Sequence, residues 1–88
     1  MALTNQQKFV IGKILSESLD KKQMMNEYNL FFSGTGDPAG AAGWKILKKH
    51  TDGKEKYQGF IGRFPDTAET QREVGEFVRE EMKHWMGT

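Results

Sequence analysis

Residues 43–64, GWKILKKHTDGKEKYQGFIGRF, decide the fold that this sequence predicts. Asp52 and Gly53 form a dipeptide that two-residue hairpin turns prefer, because both central positions of such a turn need a positive φ. The flanking stretches 44–49 and 56–64 combine aromatic and β-branched residues with lysines, and Pro65 ends the second stretch. We therefore predict an antiparallel β-hairpin centred on Asp52-Gly53.

This segment also carries a disproportionate share of the positive charge. It holds six Lys or Arg against two Asp or Glu, a net charge of +4, whereas residues 66–85 hold three against six, a net charge of −3. The whole chain has a net charge of only +1. Any attraction to an acidic partner must therefore be local, and the hairpin is its predicted location.

A two-residue turn would gather the lysines on one face of the hairpin, with Lys49 opposite Lys56. Trp44 and Ile61 would line the other face, which the helices would cover. Lysines for phosphates and an aromatic ring for stacking suit nucleic acid, although an acidic protein surface would also fit. The candidate binding residues are Lys45, Lys48, Lys49, Lys54, Lys56, Phe60 and Arg63.

Two alternatives to a basic binding face stay open. Lysines on an exposed sheet face also keep small proteins soluble and block edge-to-edge association without binding anything. A three-residue turn would shift the register and place Tyr57 and Ile61 on the opposite face from Trp44.

Helices are predicted on both sides of the hairpin. Thr4 and Gln7 have the spacing of a capping box, so a first helix should begin there and run to about Leu19. Asp66 and Glu69 have the same spacing and predict a long last helix. The apolar face of this last helix comprises Val74, Phe77, Val78, Met82 and Trp85.

Two segments between these elements are less regular. Asp20 could cap a second helix that runs to about Asn26, after which residues 27–32 could continue the helix or form a short strand; we favour the extended conformation. Residues 33–43, SGTGDPAGAAG, are rich in glycine and predict a loop, in which Asp37-Pro38 could start a helical turn.

Together these elements predict an α+β fold in a single domain spanning residues 1–88. One helix, or two, precedes the hairpin or a three-stranded sheet, and the long C-terminal helix packs on that sheet. A chain of 88 residues with 36% hydrophobic residues supports one modest core. The chain has no cysteine, which excludes disulfides and favours a cytoplasmic protein. Apolar runs are short and the first residues are polar, so we expect neither a signal peptide nor membrane association.

No catalytic, cofactor or metal-binding motif stands out. The glycines of residues 33–43 are not followed by the Gly-Lys-Ser/Thr of a phosphate-binding loop. Glu81 and His84 have the spacing of a di-iron motif, but the second copy that such a site needs is missing. His50, beside the predicted turn, should be exposed. We therefore expect no cofactor, no metal ion and no enzymatic activity.

Two functions remain. The first prediction is a small non-enzymatic binding protein whose basic hairpin face engages nucleic acid or an acidic protein surface. The alternative is a stand-alone inhibitor or adaptor, of the kind that phages encode, which blocks a larger host enzyme or complex by stoichiometric binding. Core packing is the default expectation for a set of methionine and aromatic residues. If part of the set is exposed, it favours this alternative or a homodimer, because such residues suit adaptable protein contacts. They are Met24, Met25, Phe31, Phe32, Met82, Trp85 and Met86.

Overall fold

Five helices and no strand make up the part of the chain that the computed structural model describes, residues 3–32 and 39–87. The helices are α1 (Asn5–Ser18), α2 (Lys21–Phe32), α3 (Ala39–Thr51), α4 (Glu55–Ile61) and α5 (Ala68–Met86). The predicted α+β class is therefore wrong, because the residues assigned to the hairpin form α3 and α4. The predicted helical turn at Asp37-Pro38 lies outside the described residues.

The hairpin prediction fails because the apolar residues of this segment are buried at helical spacing. Ile46 and Leu47 are neighbours in sequence and are both 0% exposed, which a strand with one covered face cannot achieve. Tyr57, Ile61 and Phe64 are also buried, at spacings of four and three residues. The pattern therefore presents one face of α3 and one face of α4 to the core.

Asp52-Gly53 ends a helix rather than turning a hairpin. Gly53 follows the last turn of α3 with a φ of 77°, the left-handed conformation that commonly terminates helices and that glycine adopts without strain. The amide N–H of Asp52 donates to the Lys48 carbonyl, so helical hydrogen bonding continues up to the turn. The same dipeptide chemistry therefore serves a helix–helix connection.

The first and last helices are confirmed, with one change of cap. Thr4 and Gln7 form the reciprocal capping box at the start of α1, with N···O distances of 2.9 and 3.0 Å. At the start of α5 the cap is Thr67, whose hydroxyl accepts from the Thr70 amide at 3.1 Å, and not the expected Asp66. Helix α1 buries Ile11, Ile14 and Leu15, and helix α5 buries Val74, Val78 and Met82.

The two uncertain segments are more helical than expected. Asp20 accepts a hydrogen bond from the amide of Gln23 at 2.7 Å and caps α2, which then continues to Phe32, so the extended conformation favoured for residues 27–32 is wrong. The predicted loop is wrong for residues 39–43, which form the first turns of α3, and its residues 33–38 lie outside the described residues. Alanines at positions 39, 41 and 42 favour this helix.

The core lies where α3 crosses α5, the largest helix–helix contact in the described structure. Helices α1 and α2 pack on both of them, and the short α4 packs on α3. The side chains that fill the centre are aliphatic or methionine, and all are at most 2% exposed: Ile11, Ile14, Leu15, Met24, Ile46, Leu47, Val74, Val78 and Met82. No helix in the described residues is both long enough and apolar enough to cross a membrane.

Candidate binding surfaces

The seven predicted binding residues do not form one face. Lys45, Lys48 and Lys49 lie on α3, Lys54 is the N-cap of α4, and Lys56 follows it. The other two residues, Phe60 and Arg63, lie at the end of α4 and just after it. The helical backbone therefore distributes side chains that a hairpin would have aligned.

Lys49 is held by a buried carboxylate on α2. Its ammonium donates to Glu27 Oε1 at 2.8 Å, and His50 Nε2 lies 3.0 Å from the same oxygen. Glu27 is 9% exposed. His50 was expected to be exposed beside a turn. His50 is instead half-buried in this three-residue cluster, which ties α2 to α3.

Lys49 and His50 stabilise the ionised form of the Glu27 carboxylate. Burial disfavours the ionised form of Glu27, but hydrogen bonds from Lys49 and His50 outweigh it and lower the pKa of Glu27 below its ordinary value. The second oxygen, Oε2, is buried and has no hydrogen-bond partner in the described structure. Lys49 therefore compensates a buried negative charge, which offsets part of its own positive charge although its side chain is half exposed.

Lys54 and Lys56 contact the C-terminal end of α1. The Lys54 ammonium donates to Ser18 Oγ at 3.1 Å, and Lys56 Nζ lies 3.4 Å from Glu17 Oε2. The Tyr57 hydroxyl donates to Glu17 Oε1. That hydrogen bond first, and the charge of Lys56 after it, lower the pKa of Glu17. These lysines therefore help to fasten α4 to α1.

Phe60 and Arg63 lie at the other end of α1. They line a recess with Thr4, Gln7 and Val10, near the beginning of that helix. Because 14 residues of α-helix span roughly 20 Å, this position is far from Lys54 and Lys56. The Phe60 ring packs edge-on against Phe64 at a centroid distance of 5.1 Å, so it is engaged within the protein.

A groove of about 410 Å³ with a mainly apolar lining lies between α1 and α5. Phe9 and Trp85 border it and are 71% and 46% exposed. Its lining consists of Lys8, Phe9, Gly12, Lys13, Ser16, Glu81 and Trp85, and we call it the Phe9–Trp85 groove. Two large aromatic side chains, one from each helix, thus remain partly uncovered beside one depression.

Gly12 and Glu81 shape the interior of the Phe9–Trp85 groove. A β-carbon placed on Gly12 would lie 3.4 Å from Glu81 Oε2, so the carboxylate lies directly against the backbone of α1. Glu81 is half-buried, and among the described residues its carboxylate has no hydrogen bond or ion pair. A negative charge is therefore present within a mainly apolar depression.

The sequence alone does not predict this groove. Trp85 was expected on the apolar face of α5 but is 46% exposed, and Phe9 of α1 is 71% exposed. The spacing of the groove residues places them on one face of each helix. Phe9, Gly12 and Ser16 share one face of α1, and Glu81 and Trp85 are four residues apart on α5. That these two faces adjoin depends on how α1 packs against α5, which the spacing does not reveal.

Core packing, the default expectation for the methionine and aromatic set, is found for most of its members. Met24 and Met82 are fully buried, and Met86 is only 9% exposed. Only Met25 and Trp85 of this set are exposed large side chains. His84 is exposed and packs edge-on against Trp85 at a centroid distance of 5.9 Å. No group of three potential metal ligands occurs in the described part of the chain.

Comparison of the chain with protein-family models, with curated proteins and with solved structures gave no significant match.

Proposed function

We propose that this chain is a non-catalytic protein-binding module, an inhibitor or adaptor that forms a stoichiometric complex with a larger protein. The Phe9–Trp85 groove would hold one segment of that partner. The observation that carries the proposal is the 71% and 46% exposure of two aromatic side chains beside one apolar groove. The absence of cysteine suits a reducing compartment such as the cytoplasm, where we expect the complex to form.

Exposed aromatic side chains beside a groove are a common basis of protein–protein affinity. Tryptophan is enriched among the few residues that dominate binding energies, because its large surface loses water on contact at a low cost in conformational entropy. Phe9 lies on α1 and Trp85 on α5, so a partner segment between them would contact two helices that the core already fixes. Such a groove needs little rearrangement on binding, which favours affinity.

Binding of nucleic acid through the lysines has less support. Lys49 pairs with Glu27 of α2 and Lys56 with Glu17 of α1, so the charges of these two lysines are partly neutralised within the protein. Lys54 donates to the hydroxyl of Ser18 and keeps its charge. Lys45 and Lys48 are exposed on α3, but two lysines supply few phosphate contacts. We therefore rank this function second.

The test is affinity capture from a lysate of the source cells with the wild-type protein and two variants. In Phe9→Ala/Trp85→Ala both aromatic side chains are removed, whereas Leu30→Ala removes a side chain that is 66% exposed elsewhere, on α2. We expect the wild type and Leu30→Ala to retain one protein in stoichiometric amount, and the double variant to lose it. Circular dichroism should show that all three are folded, because the truncated side chains are exposed.

Three results would overturn the proposal. If the wild type captures only nucleic acid, and nuclease treatment removes the captured material, binding through the lysines would be favoured instead. Light scattering that shows a wild-type dimer and a monomeric double variant would assign the groove to a second copy of this chain. Equal capture by the wild type and the double variant would exclude the groove altogether.

A further inference from the structure

The carboxylate of Glu81 is the feature of the Phe9–Trp85 groove that apolar contact alone does not explain. It lies against the backbone of Gly12, half-buried, with Trp85 four residues along the same helix. No hydrogen bond or ion pair satisfies it within residues 3–32 and 39–87. Covering the groove with a purely apolar side chain would remove water from this charge without compensation, which is unfavourable.

The two lysines that also line the groove have neighbours outside it. The Lys8 ammonium lies 6.0 Å from the centre of the Phe77 ring, and Lys8 also borders a recess that contains Glu73, Glu76 and Glu80. The pKa of Glu17 is lowered mainly by its hydrogen bond from Tyr57, and Lys13 also contributes through its charge. Glu81 is thus the acidic group of the groove that retains the capacity to pair.

We propose that the Phe9–Trp85 groove binds an arginine side chain of the partner, an inference that rests on the proposed function. The guanidinium N–H groups would donate to the Glu81 carboxylate, and the guanidinium plane would lie against the ring of Trp85 or Phe9. Arginine suits this site better than lysine, because its planar group can pair with both carboxylate oxygens and stack on an aromatic face. Its weaker hydration also lowers the cost of entering an apolar groove.

The test measures binding of N-acetyl-arginine amide by NMR, from the chemical shift of the Trp85 indole N–H. The neutral probe N-acetyl-citrulline amide has nearly the same shape and lacks the charge. We expect saturable binding of the arginine probe in the millimolar range and binding of the citrulline probe at least about tenfold weaker, since charge-assisted hydrogen bonds are the stronger kind. Glu81→Gln should weaken arginine binding by a similar factor, whereas Glu80→Gln, the adjacent exposed glutamate, should not.

Equal binding of the two probes, no saturable binding of either, or unchanged arginine binding in Glu81→Gln would overturn the inference. Thermal unfolding of Glu81→Gln shows whether the variant is folded, and N-acetyl-lysine amide provides a second, fold-independent comparison on the wild type. Affinity capture separates this inference from the proposed function. If Phe9→Ala/Trp85→Ala loses the partner but Glu81→Gln retains it fully, the groove binds protein without an arginine anchor.

Discussion

Gly43 of α3 and Gly75 of α5 bring the two central helices into backbone contact. A β-carbon on Gly43 would lie 2.1 Å from the carbonyl oxygen of Gly75 and 2.5 Å from its Cα. No side chain can occupy that space unless the helices separate. The crossing of α3 over α5, and with it the packing of the core around Ile46 and Val78, depends on the missing side chain at position 43.

Gly43→Ala should destabilise the protein strongly. The added methyl group meets a backbone that cannot rotate away, so we expect a loss of about 3 kcal/mol in the free energy of unfolding, at the upper end for overpacked sites. Gly59→Ala on α4 is the matched control, because a β-carbon at Gly59 meets nothing within 4 Å. It should stabilise the protein by up to about 1 kcal/mol, since alanine favours a helix over glycine. Urea unfolding of both variants measures the difference. A Gly43→Ala protein as stable as the wild type would show that the two helices do not meet at these glycines.

Gly12→Ala should stabilise the fold and weaken binding in the Phe9–Trp85 groove. Its methyl group would lie 3.4 Å from Glu81 Oε2, the flexible end of a side chain that can move slightly. Alanine in a helix interior gains up to about 1 kcal/mol over glycine. The added methyl group makes the groove shallower beside the Glu81 carboxylate, so arginine-probe binding should decrease. Chemical denaturation and the NMR titration are the two measurements. Gly59→Ala should share the first effect and not the second.

Stability should decrease in acid partly through Glu27. Because Lys49 and His50 make its pKa lower in the folded chain than the ordinary 4.5, the Glu27 contribution is complete above about pH 4.5. It is lost as the pH falls through the lower folded value, where the carboxylate becomes protonated. Denaturant midpoints should therefore fall with pH in this range less steeply for Glu27→Gln than for the wild type. The exposed Asp52→Asn serves as control, and an unchanged slope in Glu27→Gln would contradict the role of this cluster.

Tyr57→Phe should loosen the attachment of α4 to α1. The phenol hydroxyl donates to Glu17, and its loss should cost about 0.5–1.5 kcal/mol, typical of one hydrogen bond. The variant should also raise the pKa of Glu17, since that hydrogen bond is the main cause of its lowering. A double-mutant cycle with Glu17→Gln measures the coupling by denaturant unfolding. Additive effects of the two substitutions would mean that the contact contributes nothing.

Local signals in the sequence predicted the ends of the protein better than its middle. The Thr4–Gln7 capping box and the apolar stripe of α5 are complete within a few residues, so they identify helices without knowledge of the rest of the fold. Residues 43–64 contain two signals that conflict. Asp52-Gly53 indicates a hairpin, whereas the adjacent apolar residues Ile46 and Leu47 suit a helix. The structure buries both of these residues, which only a helix packed on α5 allows.

The start of α1 and the course of α5 could thus be predicted from the sequence, because each rests on interactions within a few residues. The tertiary structure alone decided that Gly43 faces Gly75, that Lys49 compensates Glu27, and that Phe9 and Trp85 border one groove. Each of these contacts joins different helices. Their existence depends on crossing positions that the whole core establishes through close packing, which no short stretch of sequence encodes.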